Sequence, residues 1–304
     1  MKKAASYIPS VIISVLLIFC LLSGSALIVA DVNVTSAKTS SFAEKEELVK
    51  KVRRDLDKHY RSKASATGIP ASVYMDCLSD EYLSDVIDSY IRSTYDALDN
   101  GGKFTADIPE NPDLENSIDS FFSEYADKTG YKKDENYDKK LKNTKDNAYK
   151  TIGSSCDIFK VDSMKSHGLL SKISRFYRIR YKLTFAVTAA SLILIAVLAF
   201  IHRKRIYEVL YWCGISALIA GVMGTVPSAY LIVTKYYNAF SIKQPQVFAA
   251  YTKSLFGLTE AFMASQIASI VIGAGMLVIY GVLCGKGKKA AAVHEIDSEK
   301  NTAN

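Results

Sequence analysis

Residues 175–205 read RFYRIRYKLTFAVTAASLILIAVLAFIHRKR, an uncharged apolar run fenced by arginines and lysines at both ends. The run from 183 to 201 is 19 residues long and lacks Asp, Glu, Lys, Arg and His. Three further windows share that property: residues 8–30, 209–233 and 262–283. At ~1.5 Å of rise per residue each reaches across a hydrocarbon core of ~30 Å, and unbroken apolarity of this length is rare in a soluble core helix. All four windows are therefore read as membrane spans. The overall balance of 49% hydrophobic and 23% charged residues averages over two unlike kinds of sequence.

The first span follows Lys2 and Lys3 and ends near the small residues Gly24-Ser25-Ala26, which also suits a cleaved signal peptide. Its 23 apolar residues exceed the ~7–15 of a signal h-region, which favours a retained anchor. Phe19 before Cys20 is too bulky for a lipoprotein cleavage site.

Short loops set orientation, whereas long translocated segments are largely exempt from the positive-inside bias. If the four spans alternate, Lys2 and Lys3, then Arg203, Lys204 and Arg205, then Lys286, Lys288 and Lys289 share one side, which is read as cytoplasmic. The fence at 203–205 then faces the cytoplasm, and residues 31–182 lie outside. Lys172, Arg175, Arg178 and Lys182 recur at helical spacing before the second span and are read as snorkelling interface anchors, with an anionic-ligand site as the alternative.

The expected architecture is all-α: four transmembrane helices with an all-helical extracytoplasmic domain inserted between the first and second. Its divisions are the first span (1–30), the extracytoplasmic domain (31–178), a membrane domain with the remaining spans (179–289) and a tail (290–304). The tail lacks an apolar repeat and is expected to be an unstructured cytoplasmic end.

Residues 31–182 carry 26 bases and 26 acids, so the chain's formal charge of +7 comes from the spans, short loops and tail. Within that segment 76–127 is strongly acidic and 128–182 strongly basic. The two are expected to fold against each other; the alternative is an acidic face that meets a cationic partner or metal ion. Leu48, Val52, Leu56 and Tyr60 form one apolar stripe, and Leu83, Ile87, Tyr90, Ile91, Thr94 and Leu98 another. Ser79 suits an N-cap and Asn100-Gly101-Gly102 a stop, while Asn111-Pro112 opens a helix that ends at Gly130. A lysine-rich helix over Tyr137, Leu141, Ala148 and Ile152 is expected to end at Gly153, and a last one to begin near Ser163 and run into the second span. The expectation is a bundle of about five helices.

Chemistry-bearing patterns are sparse. None of the HExxH, GxSxG or GxxxxGK[ST] motifs occurs, no catalytic residue or cofactor site is assigned, and nothing points to nucleic acid. His202 reads as part of the basic fence, and His59 as an ordinary helix residue. Asp96, Asp99, Asp107, Glu110 and Asp113 cluster around the Gly101-Gly102 turn and form a weak Ca²⁺ candidate without EF-hand spacing. Cys77 and Cys156 allow one disulfide, whose formation the sequence leaves open.

Inside the membrane, small residues at intervals of four form two faces. Cys213, Ala217, Gly221, Thr225 and Ala229 line one, and Ala261, Ser265, Ser269 and Gly273 the other. Such faces let helices approach closely in lipid, and homo-oligomerisation is the alternative to packing within one chain. Residues 247–262 carry helically spaced aromatic and apolar residues that suit either the outer membrane surface or a cap on the bundle. The expected function is a non-enzymatic extracytoplasmic sensor or adapter, or an accessory subunit of a cell-envelope complex, partnered by the bilayer and another membrane or envelope protein. An oligomeric channel or transport component is the alternative. The lysine-, tyrosine- and aspartate-rich helices with few prolines suggest a bacterial chain.

Overall fold

A computed structural model describes the backbone of residues 2–42 and 45–302, and the side chains of residues 6–41 and 47–285. Among these residues the secondary structure is helical and no strand forms. In chain order the helices are α1 (Lys2–Asn33), α2 (Ser36–Phe42), α3 (Lys45–Thr67), α4 (Ser72–Met75), α5 (Asp80–Asp99), α6 (Pro112–Thr129), α7 (Glu135–Cys156), α8 (Val161–Ser166), α9 (Leu169–Ile201), α10 (Tyr207–Val233) and α11 (Pro245–Thr302), with a 3₁₀ turn at Tyr236–Ala239. Four segments are long and apolar enough to cross a membrane: Ser6–Asn33, Leu169–Ile201, Tyr207–Val233 and Pro245–Gly285.

The chain divides into two units. One comprises Val34–Ile179 together with Tyr237–Leu255. Its core follows the stripes read from sequence: Val52 and Leu56 of α3, Leu83 and Ile91 of α5, Leu114 and Ile118 of α6, and Ile152 of α7 are all fully buried. The helix starts are set by caps. Ser79 accepts from the Tyr82 amide (3.0 Å), Asn111 from that of Leu114 (3.0 Å) and Asp134 from that of Tyr137 (3.1 Å), each satisfying an otherwise orphaned N–H. Gly102 ends α5 in the left-handed region, φ 85°, and its amide donates to Ala97 (2.7 Å).

Two boundaries differ from the sequence reading. Helix α7 passes through Gly153 to Cys156, because Gly153 keeps helical geometry and serves packing instead. A Cβ there would stand 2.4 Å from the Tyr90 hydroxyl. The helix expected from Ser163 is broken: α8 ends at Ser166, and Gly168, with φ 66°, turns the chain before α9 starts at Leu169. The unit also holds more helices than the expected five, α2 to α8 with the first turns of α9 and α11.

The acidic and basic segments do meet. Lys145 of α7 pairs with Asp119 (2.8 Å) and Glu115 (3.6 Å) of α6. Of the segment 247–262, residues up to Leu255 pack into this unit as the start of α11: Val247 and Ala250 are buried, and the Tyr251 hydroxyl donates to the Phe159 carbonyl (3.3 Å).

The other unit comprises Met1–Asn33, Arg180–Tyr236 and Phe256–Asn304. Helix α1 packs along α10, with Leu17, Leu198 and Cys213 at the centre of an apolar cluster. The backbones of α10 and α11 touch where glycines permit it: a Cβ on Gly273 would lie 2.7 Å from the Gly214 carbonyl oxygen. Helix α10 runs through Pro227 to Val233. Helical backbone continues through the segment read as an unstructured tail, to Thr302; the side chains of that segment, and residues 303 and 304, lie outside the described residues.

Candidate functional site

The helical unit carries an open polar cleft of about 620 Å³ between α3 and α7. Its α3 wall presents Asp55, Lys58, His59 and Ser62, and its α7 wall Asn147, Lys150, Thr151 and Ser154. These are the polar stripes beside the buried ones: Leu56 and Tyr60 point into the core from α3, as Ala148 and Ile152 do from α7. Asp55 Oδ2 accepts from Ser155 Oγ (3.2 Å) and from Nε2 of the fully buried Gln246 (3.0 Å). Gln246 is thereby anchored, while its Oε1 is buried without a hydrogen-bond partner.

The acids suggested for Ca²⁺ are spread along the α5–α6 connection. Asp96 and Asp99 sit in the last turn of α5, Asp107 and Glu110 in the loop, and Asp113 in the first turn of α6, all exposed. Among the described residues no three His, Cys, Asp or Glu side chains gather as metal ligands would. Cys77 and Cys156 are both free thiols. Cys156 is fully buried, and burial pushes its thiol up to about 12. Beside it the Asp157 carboxylate caps α8 by accepting from the Val161 amide (3.0 Å), and burial raises its pKa. Burial likewise pushes the hydroxyls of Tyr60, Tyr82 and Tyr90 above the usual tyrosine range.

Lys172, Arg175, Arg178 and Lys182 are all exposed along α9. Sequence reasoning passed over Arg180, the buried member of the same basic run. Its guanidinium stands 3.3 Å from Asp31 at the end of α1, and Asp31 also accepts from Thr184 Oγ1 (2.6 Å). The signal was available: Asp31 is the first acid beyond the first span, and Arg180 precedes the second, so the two spans bring opposite charges to one level.

His202 is a correction to the sequence reading. It is buried, not part of an exposed fence, with Nδ1 2.7 Å from Glu208 Oε2 and Nε2 2.8 Å from Ser10 Oγ. The order hydroxyl, imidazole, carboxylate is that of a nucleophilic triad. Ser10, however, is fully buried inside α1, and its hydroxyl donates to the Ser6 carbonyl (2.8 Å), as a helix serine does. The arrangement ties α1 to the turn between α9 and α10.

Of the small faces, Cys213, Ala217 and Gly221 are buried, and Thr225 is half-buried with its hydroxyl lacking a partner. On α11 Gly273 is buried, while Ala261, Ser265 and Ser269 are half-buried. The stripe that meets α10 is Gln266, Ile270 and Gly273: a Cβ on Gly221 would lie 2.5 Å from Ile270, and one on Gly224 2.5 Å from Gln266. Gln266 Nε2 in turn donates to Ser25 of α1 (2.6 Å), so one amide links three spans. The chain matches no family model, no curated protein and no solved structure.

Proposed function

We propose that this is a multi-pass membrane protein whose helical unit works on the extracytoplasmic side as a non-enzymatic receptor or adapter. The observation that carries the reading is the composition of that unit. It joins Val34–Ile179, from between the first and second spans, to Tyr237–Leu255, from between the third and fourth. The bond from Gln246 to Asp55 and that from Tyr251 to Phe159 lie within it. If every span crosses once, these two segments emerge on one side, and Arg203, Lys204 and Arg205 with Lys286, Lys288 and Lys289 on the other. Clustered lysine and arginine in short connections marks the cytoplasmic face. The helical unit then faces outward. A closed core with a polar-walled cleft suits recognition, since the cleft offers hydroxyls, amides, amines, an imidazole and a carboxylate to a polar ligand.

A photo-crosslinking residue placed at Asn143, on the exposed side of α7, tests the role in native membranes. The reading predicts a discrete adduct with one protein, and that protein should no longer co-purify when residues 40–165 are replaced by a short linker. Ion conductance in liposomes by the spans alone would replace it with the channel reading.

A further inference from the structure

We propose that the cleft between α3 and α7 binds a small molecule bearing an oxyanion group, phosphate or carboxylate, through Lys58 and Lys150. The two walls repeat one arrangement. Lys58, His59 and Ser62 on α3, and Lys150, Thr151 and Ser154 on α7, each place a lysine, its neighbour and a serine one turn later into the same cleft. Several cations on these helices, though among the described residues not Lys63, Lys139 or Lys142, find carboxylates: Lys51 with Glu47 (2.6 Å), Arg61 with Asp57 (2.8 Å) and Lys145 with Asp119 (2.8 Å). Lys58 and Lys150 do not, although Asp55 and Asp146 stand one turn before them, and neither forms an ion pair among the described residues. The one acid in the cleft is already committed, because Asp55 Oδ2 accepts from Ser155 and Gln246.

The cleft therefore presents two ammonium groups and a ring of hydroxyls beside a single carboxylate, Asp55, which pairs with neither lysine. A volume of about 620 Å³ falls within the ~300–1,000 Å³ of ligand sites. Polar walls select a polar ligand, and a lysine ammonium gives an oxyanion charge-assisted hydrogen bonds without demanding a fixed fork geometry.

The inference rests on the receptor reading above, yet the two fail separately, because binding is measured on purified protein whichever side the unit faces. The full chain in nanodiscs of zwitterionic lipid is titrated with inorganic phosphate, and separately with citrate, against chloride at matched ionic strength. Saturable binding of at least one is expected. Lys58→Met and Lys150→Met should each weaken it about tenfold or more, whereas Lys139→Met, exposed on α7 outside the cleft, should leave it unchanged. Should either methionine variant fail to fold, Lys58→Arg and Lys150→Arg preserve the charge and should retain binding. A second set of nanodiscs containing anionic phospholipid separates the sources. Loss of phosphate binding there identifies a lipid headgroup as the occupant, and unchanged binding identifies a free solute. No saturable binding by either probe, or binding that ignores both lysines, overturns the proposal.

Discussion

Replacing Gly273 by alanine is expected to loosen the membrane unit, while the same replacement two residues later is not. A Cβ on Gly273 would lie 2.7 Å from the Gly214 carbonyl oxygen and 2.7 Å from the Leu218 amide nitrogen, both backbone atoms that cannot swing aside. Ordinary contact begins at 3.4 Å, so α10 and α11 must separate by about 0.7 Å. A gap of that size forfeits roughly a quarter to a half of each dispersion contact along the seam. Overpacking of this kind costs about 1–3 kcal/mol, against a gain of about 1 kcal/mol from alanine's better helix propensity. A Cβ on Gly275 meets nothing within 4 Å, so that variant keeps only the gain. The difference between the two isolates the contact at about 1–3 kcal/mol. The single tryptophan, Trp212, packs edge-on against Tyr7 of α1 at 5.6 Å between ring centroids and reports on the bundle. Detergent-induced unfolding followed by its fluorescence measures both variants. Equal stabilities would refute the close α10–α11 approach.

Arg180→Met should cost up to about 3 kcal/mol in the same assay, because it strands the largely buried carboxylate of Asp31, and adding Asp31→Asn should recover much of that loss; additive losses would show that the pair is not coupled. At pH 8 Cys77 should react with maleimide in the native protein, whereas Cys156, its thiol pushed up to about 12, should react only after unfolding. Peptide mapping by mass spectrometry distinguishes the two, and rapid native labelling of Cys156 would contradict its burial. Asp157 titrates above its usual 3.8 because burial penalises the charged form. The folded state therefore holds this proton more tightly than the unfolded one, and the stability it lends below that value is lost as pH rises through the folded pKa. Relative to Asp157→Asn, the wild type should become less stable as pH rises through and above the ordinary aspartate value of 3.8; a wild type that gains stability on that variant over this rise would reverse the sign.

The spans and the core stripes were legible because each rests on a repeated physical requirement. Charge-free windows of 19 to 25 residues mark the helices long and apolar enough to cross a membrane, and the spacing of Val52, Leu56 and Tyr60 marks a buried face. Ser79, Asn111 and Gly130 were readable as helix ends because caps act locally. Gly153 and Gly168 look alike in sequence, but only tertiary contact shows that the first admits Tyr90 and the second turns the backbone. The cleft was missed for a related reason. Nothing in the sequence links Lys58 to Lys150, 92 residues apart, until α3 and α7 lie side by side. His202 was misplaced because its partners Ser10 and Glu208 come from different helices. The small-residue faces located the α10–α11 contact to within one position on α11, since a four-residue interval fixes a stripe less tightly than three helices sharing Gln266.

The most direct test of the proposed architecture is cysteine accessibility from outside intact cells. Lys132→Cys and Ser241→Cys sit at exposed positions in the two segments that build the helical unit, and Lys204→Cys in the short basic turn. In a background whose native cysteines are replaced by serine, a membrane-impermeant maleimide should label the first two in intact cells and the third only after permeabilisation. Labelling of Lys204→Cys alone would invert the protein in its membrane, and a split between the first two would break the one-sided unit itself.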